Sequence, residues 1–133
     1  MDEQKKTKPI AILSGRIVHG NGVGRTVGMP TANLETLEGQ ILPSPGVYAS
    51  RMVIGDRVYD SVTNIGSRPT VDFGEDMTIE TYIIDFAGDI YGKEVTLFIH
   101  QFLREIQKFS SLEEVQKQVQ EDIQKVQSYF KIV

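Results

Sequence analysis

Between residues 10 and 103, β-rich segments alternate with short turns that contain glycine. The segments are rich in Ile, Val, Thr and Tyr, which favour strands. The run from Gly46 to Gly66 is typical of two strands joined at Gly55-Asp56, a two-residue hairpin connection. Several short strands separated by turns predict either an antiparallel barrel or a β-sandwich.

The C-terminal region has a helical period instead. Its apolar residues are spaced three and four apart and form one stripe, at Leu112, Val115, Val119, Ile123, Val126 and Phe130. Ser111 with Glu114 is typical of a helix start, and Ser110 with Glu113 is the competing frame. We expect this helix to pack on the strands, and a partner-binding stripe is the alternative.

Length and composition predict one globular domain. The chain has 133 residues, a net charge of −4 and no cysteine. A chain of this length can bury one hydrophobic core. The excess of acidic over basic residues argues against binding to the phosphates of a nucleic acid. No apolar run is long enough to cross a bilayer. We expect a flexible arm over residues 1–9, a domain over residues 10–133, and a soluble cytoplasmic monomer with no membrane partner.

A glycine-rich loop follows the first strand segment, with glycines at alternate positions Gly20, Gly22 and Gly24 and a cation at Arg25. Glycines allow backbone N–H groups to approach an anion, so the loop could hold a polyphosphate. Alternatively, it is a plain connection between strands, with glycines at tight turns. Composition alone favours this second interpretation. The loop has neither a Walker A pattern nor a dinucleotide-binding fingerprint.

The stretch after this loop reads Met-Pro-Thr-Ala-Asn. Pro30 favours an extended backbone before it, and in an extended segment Thr31 and Asn33 point to the same face. Their hydroxyl and amide oxygens are ligands that Mg²⁺ accepts. Because both are neutral, they would need nucleotide phosphates to hold the ion. Alternatively, the two side chains satisfy local backbone groups.

Glu80 is a lone carboxylate inside an apolar, β-rich segment. It is either a solvated strand position, which is the commoner case, or a general base held by a rigid strand. His19 and His100 lack metal-ligand spacing, and we expect His100 in the core or at an interface.

The ordered motifs resemble the riboflavin kinase family of the bacterial and eukaryotic type. They are "SGRIVHGNGVGRTVGMPTANL", "LPSPGVYA", "NIGSRPT", "IETYIIDFAGDIYGKEV" and "FLREIQKFSSLEEV", and together they cover nearly the whole chain after residue 10. The resemblance implies a six-stranded antiparallel Greek-key-type barrel with a C-terminal helix packed on it. It also implies ATP-dependent phosphorylation of riboflavin to FMN, with Mg²⁺ as cofactor.

The same resemblance implies roles for individual residues. Thr31 and Asn33 match the Mg²⁺ ligands, and Glu80 matches the catalytic base. Residues matched to ATP binding are Gly20, Gly22, Gly24, Arg25, Ile83, Asp85 and Tyr91. Residues matched to flavin binding are Arg104, Gln107 and Phe109.

Two positions depart from the family pattern: Ile106 replaces the usual acid, and Gln107 stands where some relatives have Lys. No adenylyltransferase signature is present in the sequence, so we expect FMN as the product and no FAD synthesis. A non-catalytic flavin or nucleotide sensor on the same barrel is the main alternative function, and an RNA-binding module is a second.

Overall fold

The computed structural model describes residues 8–18, 31–69 and 75–131, with the side chains of residues 68, 69, 75 and 76 left out. Within these ranges the elements are β1 (Ala11–Val18), β2 (Ala32–Thr36), β3 (Gly46–Ile54), β4 (Arg57–Pro69), β5 (Glu75–Ile83), β6 (Glu94–Arg104) and α1 (Leu112–Lys131). Most of the predicted arm over residues 1–9 lies outside the described residues, so it stays a prediction. No helix in the described ranges is long and apolar enough to span a membrane.

The six strands close into a barrel in the order β1-β2-β5-β4-β3-β6. All neighbouring pairs are antiparallel. Strands β3, β4 and β5 are consecutive neighbours and β6 returns beside β3, which is the Greek-key arrangement. The predicted barrel is therefore confirmed, and the sandwich alternative is excluded.

Two glycines are required by the backbone geometry. Gly55 has φ of 63°, a left-handed conformation that suits the predicted hairpin between β3 and β4. Gly15 is a residue of β1, which lies between β2 and β6. A Cβ at Gly15 would collide with the backbone of Glu35 on β2. Glycine thus permits the close approach of β1 and β2 near one end of the barrel.

Alternate strand residues fill the barrel interior, since successive side chains of a strand point to opposite faces. The buried core comprises Leu13, Ile17, Ala32, Leu34, Tyr48, Met52, Ile65, Ile79, Ile83, Ile90, Val95, Leu97 and Ile99. Each large apolar side chain in this set contributes about 1.5–3 kcal/mol through its burial. The interior therefore supplies the main driving force for closing the barrel.

A chain of buried hydroxyls crosses this interior, and we call Ser50, Ser61, Thr63 and Thr81 the hydroxyl chain. Ser50 Oγ lies 2.7 Å from both Ser61 Oγ and Thr63 Oγ1, and Thr63 Oγ1 lies 2.9 Å from Thr81 Oγ1. All four residues are fully buried. Because a buried hydroxyl is costly unless it is hydrogen-bonded, the hydroxyl chain favours one alignment of β3, β4 and β5.

Helix α1 begins with the predicted cap. The backbone N–H of Glu114 donates to Ser111 Oγ at 3.1 Å, and the N–H of Ser110 donates to the Glu114 carboxylate at 3.1 Å. These bonds satisfy backbone donors that the first helical turn leaves unpaired. Ser111 is therefore the capping residue, and the frame that starts at Ser110 is excluded.

The helix packs on the outer surface of β3 and β4 through a second apolar cluster. This outer cluster comprises Val47, Ala49, Val62, Ile84, Val126 and Phe130, with Tyr82, Leu103, Ile123 and Tyr129 at its margin. The C-terminal half of the predicted stripe is thus buried against the chain's own barrel. Leu112, at the other end of the stripe, is still 48% exposed.

His100 lies between the barrel and the end of the helix, as expected. Its ring contacts Phe130 edge-on at 5.0 Å between centroids and lies 6.0 Å from the ring of Tyr129. Arg51 stacks over Phe130 at 3.9 Å and pairs with Asp60 at 3.0 Å. Burial and the Arg51 charge lower the pKa of His100, while Asp60 opposes them. The Nδ1 atom of His100 is buried without a hydrogen-bond partner among the described residues.

Replacement of Thr63 by Val should test the hydroxyl chain, because Val keeps the shape and removes the hydroxyl that joins Ser50 to Thr81. We expect the free energy of unfolding to fall by about 1–3 kcal/mol, measured by urea denaturation. Thr96→Val is the control, a half-buried strand threonine outside the hydroxyl chain, with an expected change within about 0.5 kcal/mol. Equal losses in both variants would contradict the interpretation.

His100 should make stability depend on pH in a defined direction. A pKa lowered by folding means that the unfolded state binds the proton first, below its ordinary value of about 6.5. The free energy of unfolding should therefore fall as the pH is lowered from about 7 towards 5, by at most about 1.4 kcal/mol per unit from this group. Urea denaturation of His100→Gln should show a smaller slope than wild type. Identical slopes would remove His100 as the cause.

Candidate functional site

Three polar side chains lie side by side on adjacent strands. Asn33 on β2 is directly opposite Glu80 on β5, and Glu80 is directly opposite Asn64 on β4. Residues opposite each other in an antiparallel pair share a face, with Cβ atoms about 4.5–5.5 Å apart. We call Asn33, Glu80 and Asn64 the polar row.

The polar row points to the outside of the barrel. Its members' strand neighbours Ala32, Thr63 and Thr81 are buried in the interior, and successive side chains alternate between faces. All three members of the row are half-buried. The row therefore combines rigid strand positions with access for a ligand.

Thr31 directly precedes β2 and is also half-buried. The alternation of β2, continued by one residue, places Thr31 on the outer side with Asn33. The pair offers neutral hard oxygens, which suit a divalent cation whose charge is balanced by a ligand's phosphates. Within the described ranges, no group of three or more His, Asp or Glu side chains could hold a metal by itself.

Glu80 has uncharged neighbours on both sides. Both directly opposite residues, Asn33 and Asn64, carry amides, and no ion pair joins Glu80 to another described residue. Amides can donate hydrogen bonds to a carboxylate without adding a competing charge. The Glu80 carboxylate is therefore suited to accept a proton from a bound hydroxyl.

The glycine-rich loop joins the barrel next to the polar row. Gly20, Gly22, Gly24 and Arg25 lie outside the described residues, so their predicted role in ATP binding stays a prediction. However, Val18, the last residue of β1, is directly opposite Asn33. Both ends of the loop are thus attached beside the polar row.

The other predicted nucleotide residues lie towards the same end of the barrel. Asp85 is exposed in the turn after β5 with φ of 57°, a rare conformation for a residue other than glycine. Tyr91 is 53% exposed in the turn before β6, and this turn is tied to β1 by a bond from Gly92 N–H to the Ile17 carbonyl at 2.8 Å. Ile83 differs, because its side chain packs in the barrel core.

The predicted flavin residues lie at the end of β6 and in the segment that follows. Arg104 makes a two-pronged ion pair with Asp122 of α1, with 2.9 Å from both Nε and Nη2 to the carboxylate oxygens. Its guanidinium also lies 5.9 Å from the ring centre of Phe109, which is half-buried, while Gln107 is exposed. Arg104 therefore anchors this segment to the helix, and its contact with flavin stays a prediction.

Sequence reasoning missed Asp122 and Asn64. Asp122 lies three residues after Val119 and four before Val126, so it falls within the helical stripe. An acid at such a position requires a buried partner, and that signal could have found it. Asn64 lies in the quoted motif "NIGSRPT", but only the register of β4 against β5 reveals its partner.

Ile106 brings the segment after β6 close to the polar row. A Cβ placed on Gly66 would lie 3.7 Å from both Ile106 Cδ1 and Asn64 Oδ1, and 3.1 Å from Thr78 Oγ1. The segment that holds the predicted flavin residues therefore borders the row on its β4 side.

These features define a β-barrel domain with a candidate small-molecule site on its outer surface, where a glycine-rich segment of the sequence joins the barrel. The family model described as "Flavokinase: Riboflavin kinase" matches residues 8–130. The chain belongs to the riboflavin kinase family.

Several curated relatives are bifunctional riboflavin kinase/FMN adenylyltransferases. The chain is 40% identical to that of Escherichia coli K12 over 123 residues, covering 92% of this chain and 38% of the relative. It is 34% identical to that of Listeria monocytogenes over 116 residues, covering 87% and 37%. The chain thus spans between a third and two fifths of the length of these relatives.

Two solved structures share the fold. A Streptococcus pneumoniae chain described as a macrolide-efflux protein superposes with a TM-score of 0.82 at 32% identity, over 92% of this chain and 43% of that one. Riboflavin kinase from Trypanosoma brucei superposes with a TM-score of 0.66 at 22% identity, over 91% and 77%. The second likeness is one of fold alone.

Removal of Asp122 should reveal how strongly the ion pair holds the helix. The side chains of Arg104 and Asp122 are only 16% and 2% exposed, so Asp122→Ala leaves a largely buried cation without its partner. We expect a loss of about 3–5 kcal/mol in the free energy of unfolding, measured by urea denaturation.

The exposed pair between Arg16 and Glu94, at 3.6 Å, gives a matched control. Glu94→Ala should change the free energy of unfolding by less than about 1 kcal/mol. If Asp122→Ala lowers the free energy of unfolding by no more than Glu94→Ala does, the buried pair does not hold the helix.

Proposed function

We propose that the protein transfers the γ-phosphoryl group of ATP to the 5′-hydroxyl of riboflavin, giving FMN and ADP. Membership of the riboflavin kinase family supports the reaction class. The observation that carries the proposal is the register that sets Glu80 opposite Asn33. A carboxylate and a predicted metal ligand are thereby neighbours on two rigid strands, as phosphoryl transfer to a hydroxyl requires.

Glu80 acts as the general base in this proposal. It accepts the proton of the riboflavin 5′-hydroxyl as the oxygen forms its bond to the γ-phosphorus, and the bond from that phosphorus to the ADP oxygen breaks. The directly opposite side chains, Asn33 and Asn64, are neutral amides, so no side-chain cation pairs with the carboxylate from either of these two positions. Its strand position fixes the direction from which it approaches the hydroxyl.

Thr31 and Asn33 would hold the divalent cation, which we propose to be Mg²⁺. The fit rests on their oxygen donors, which share the outer side of β2 next to Glu80. When bound, the ion neutralises charge on the phosphate oxygens of ATP. Asn33 thereby sets where the phosphates lie relative to Glu80.

The nucleotide and the flavin would approach the polar row from different sides. We propose that the phosphates are bound by the loop containing Gly20, Gly22, Gly24 and Arg25, with Asp85, Tyr91 and the Ile83 backbone near the nucleotide. Arg104, Gln107 and Phe109 would border the flavin. We further propose a cytoplasmic monomer that binds neither nucleic acid nor membrane. The net charge of −4 supports the part of this proposal that concerns nucleic acid.

One assay tests the function directly. The protein is incubated with riboflavin, ATP and Mg²⁺, and flavins are separated by chromatography. FMN that appears only with all three components supports the kinase. Absence of FMN would overturn it, and binding of riboflavin without turnover would favour a non-catalytic sensor.

Glu80→Gln should separate catalysis from binding, because Gln keeps the shape and cannot accept the proton. We expect kcat to fall by about 10²–10⁴-fold, with a much smaller change in riboflavin affinity, measured by quenching of flavin fluorescence. Glu94→Gln, an exposed strand position on β6, is the matched control and should keep wild-type turnover. Near-normal kcat in Glu80→Gln would show that Glu80 is not the base.

A further inference from the structure

Asn64 is the second cross-strand neighbour of Glu80, on the side away from Asn33. It lies on a central strand, with Glu80 of β5 opposite on one side and Val47 of β3 on the other. Its side chain is half-buried on the outer face, in reach of the Glu80 carboxylate by cross-strand spacing.

The hydroxyl chain in the barrel interior stabilises the strand alignment that sets Asn64 opposite Glu80. Thr63 and Thr81, the residues next to them along β4 and β5, form the adjacent cross-strand pair. Their hydroxyls are hydrogen-bonded at 2.9 Å in the barrel interior. This bond stabilises the alignment of the two strands at the point where Asn64 faces Glu80.

Gly66, two residues after Asn64 on β4, lies near both the Asn64 amide and the side chain of Ile106. Asn64 Oδ1 lies 3.7 Å from where a Cβ on Gly66 would be, and Ile106 Cδ1 lies at the same distance from that point. Ile106 therefore lies on the same part of the outer surface as the Asn64 amide.

We propose that Asn64 is a positioning residue that, once riboflavin and ATP are bound, donates an amide hydrogen bond to the Glu80 carboxylate and holds it towards the reacting hydroxyl. The register sets the two residues directly opposite each other, and no hydrogen bond joins these two described side chains before the substrates bind. The inference rests on the proposed kinase function. An unconstrained glutamate samples several rotamers, and Asn33 is already assigned to the metal. Asn64 is the remaining cross-strand neighbour whose amide can restrict Glu80, and its neutrality leaves the carboxylate able to take a proton.

A double-mutant cycle tests this inference, since a residue that acts through Glu80 loses its effect when Glu80 is replaced. Asn64→Ala should lower kcat by about 10-fold, the size expected from one hydrogen bond. Its riboflavin KM should change by less than about 3-fold. In Glu80→Gln, measured under single-turnover conditions, the same substitution should change the rate by less than about 2-fold.

Two further variants separate positioning from general damage. Asn64→Ser keeps a donor and should recover part of the lost kcat, whereas Asn64→Asp keeps the shape but sets a like charge opposite Glu80 and should be slower than Asn64→Ala. Gln124→Glu, an amide-to-carboxylate change at an exposed helix position, is the matched control for charge and should keep wild-type kcat. Urea denaturation of each variant accounts for any loss of folded protein.

The outcomes distinguish the inference from the function on which it rests. Equal effects of Asn64→Ala in both backgrounds, while wild type makes FMN, would overturn the positioning role and leave the kinase intact. Wild-type turnover in Asn64→Ala would do the same. A wild-type protein that makes no FMN would overturn both.

Discussion

The register of β5 between β2 and β4 is the constraint on which the site depends. Side chains of a strand alternate between faces, so a slip of one residue would turn Glu80 into the barrel and Thr81 to the outside. The slip would bury a carboxylate in an apolar interior and remove the Thr81 hydroxyl from its bond to Thr63. Both changes are unfavourable, so the interior selects the alignment that forms the polar row outside.

The helix extends this alignment to the segment predicted to contact flavin. The ion pair between Arg104 and Asp122 joins the last residue of β6 to the middle of α1, and the cap at Ser111 sets where the helix begins. The segment between Arg104 and Ser111 is held at both ends, and this limits the positions that its residues can occupy. Ile106, inside this segment, therefore reaches the outer face of β4 at Gly66.

Much of the fold could be predicted from local patterns, because a hairpin turn, a helix cap and an apolar stripe involve residues close in the sequence. Gly55-Asp56 and Ser111 lie where those patterns indicated. The pairing of β1 with β6, and of β2 with β5, joins residues far apart in the chain, and no local pattern specifies it. Barrel closure was predicted only through the motif resemblance. The pairing of Asn64 with Glu80 could not be predicted and is seen in the register of β4 and β5.

The position of the site follows from the two faces of the same strands. Towards the interior, β4 and β5 carry hydroxyls that bond to each other and hold the strands in place. Towards the outside, the neighbouring residues Asn64 and Glu80 carry groups that can exchange hydrogen bonds with a ligand. A ligand bound at this candidate site would therefore meet side chains whose backbone is already fixed by buried contacts. Little strand rearrangement is then needed when it binds, which favours rapid chemistry once the substrates are aligned.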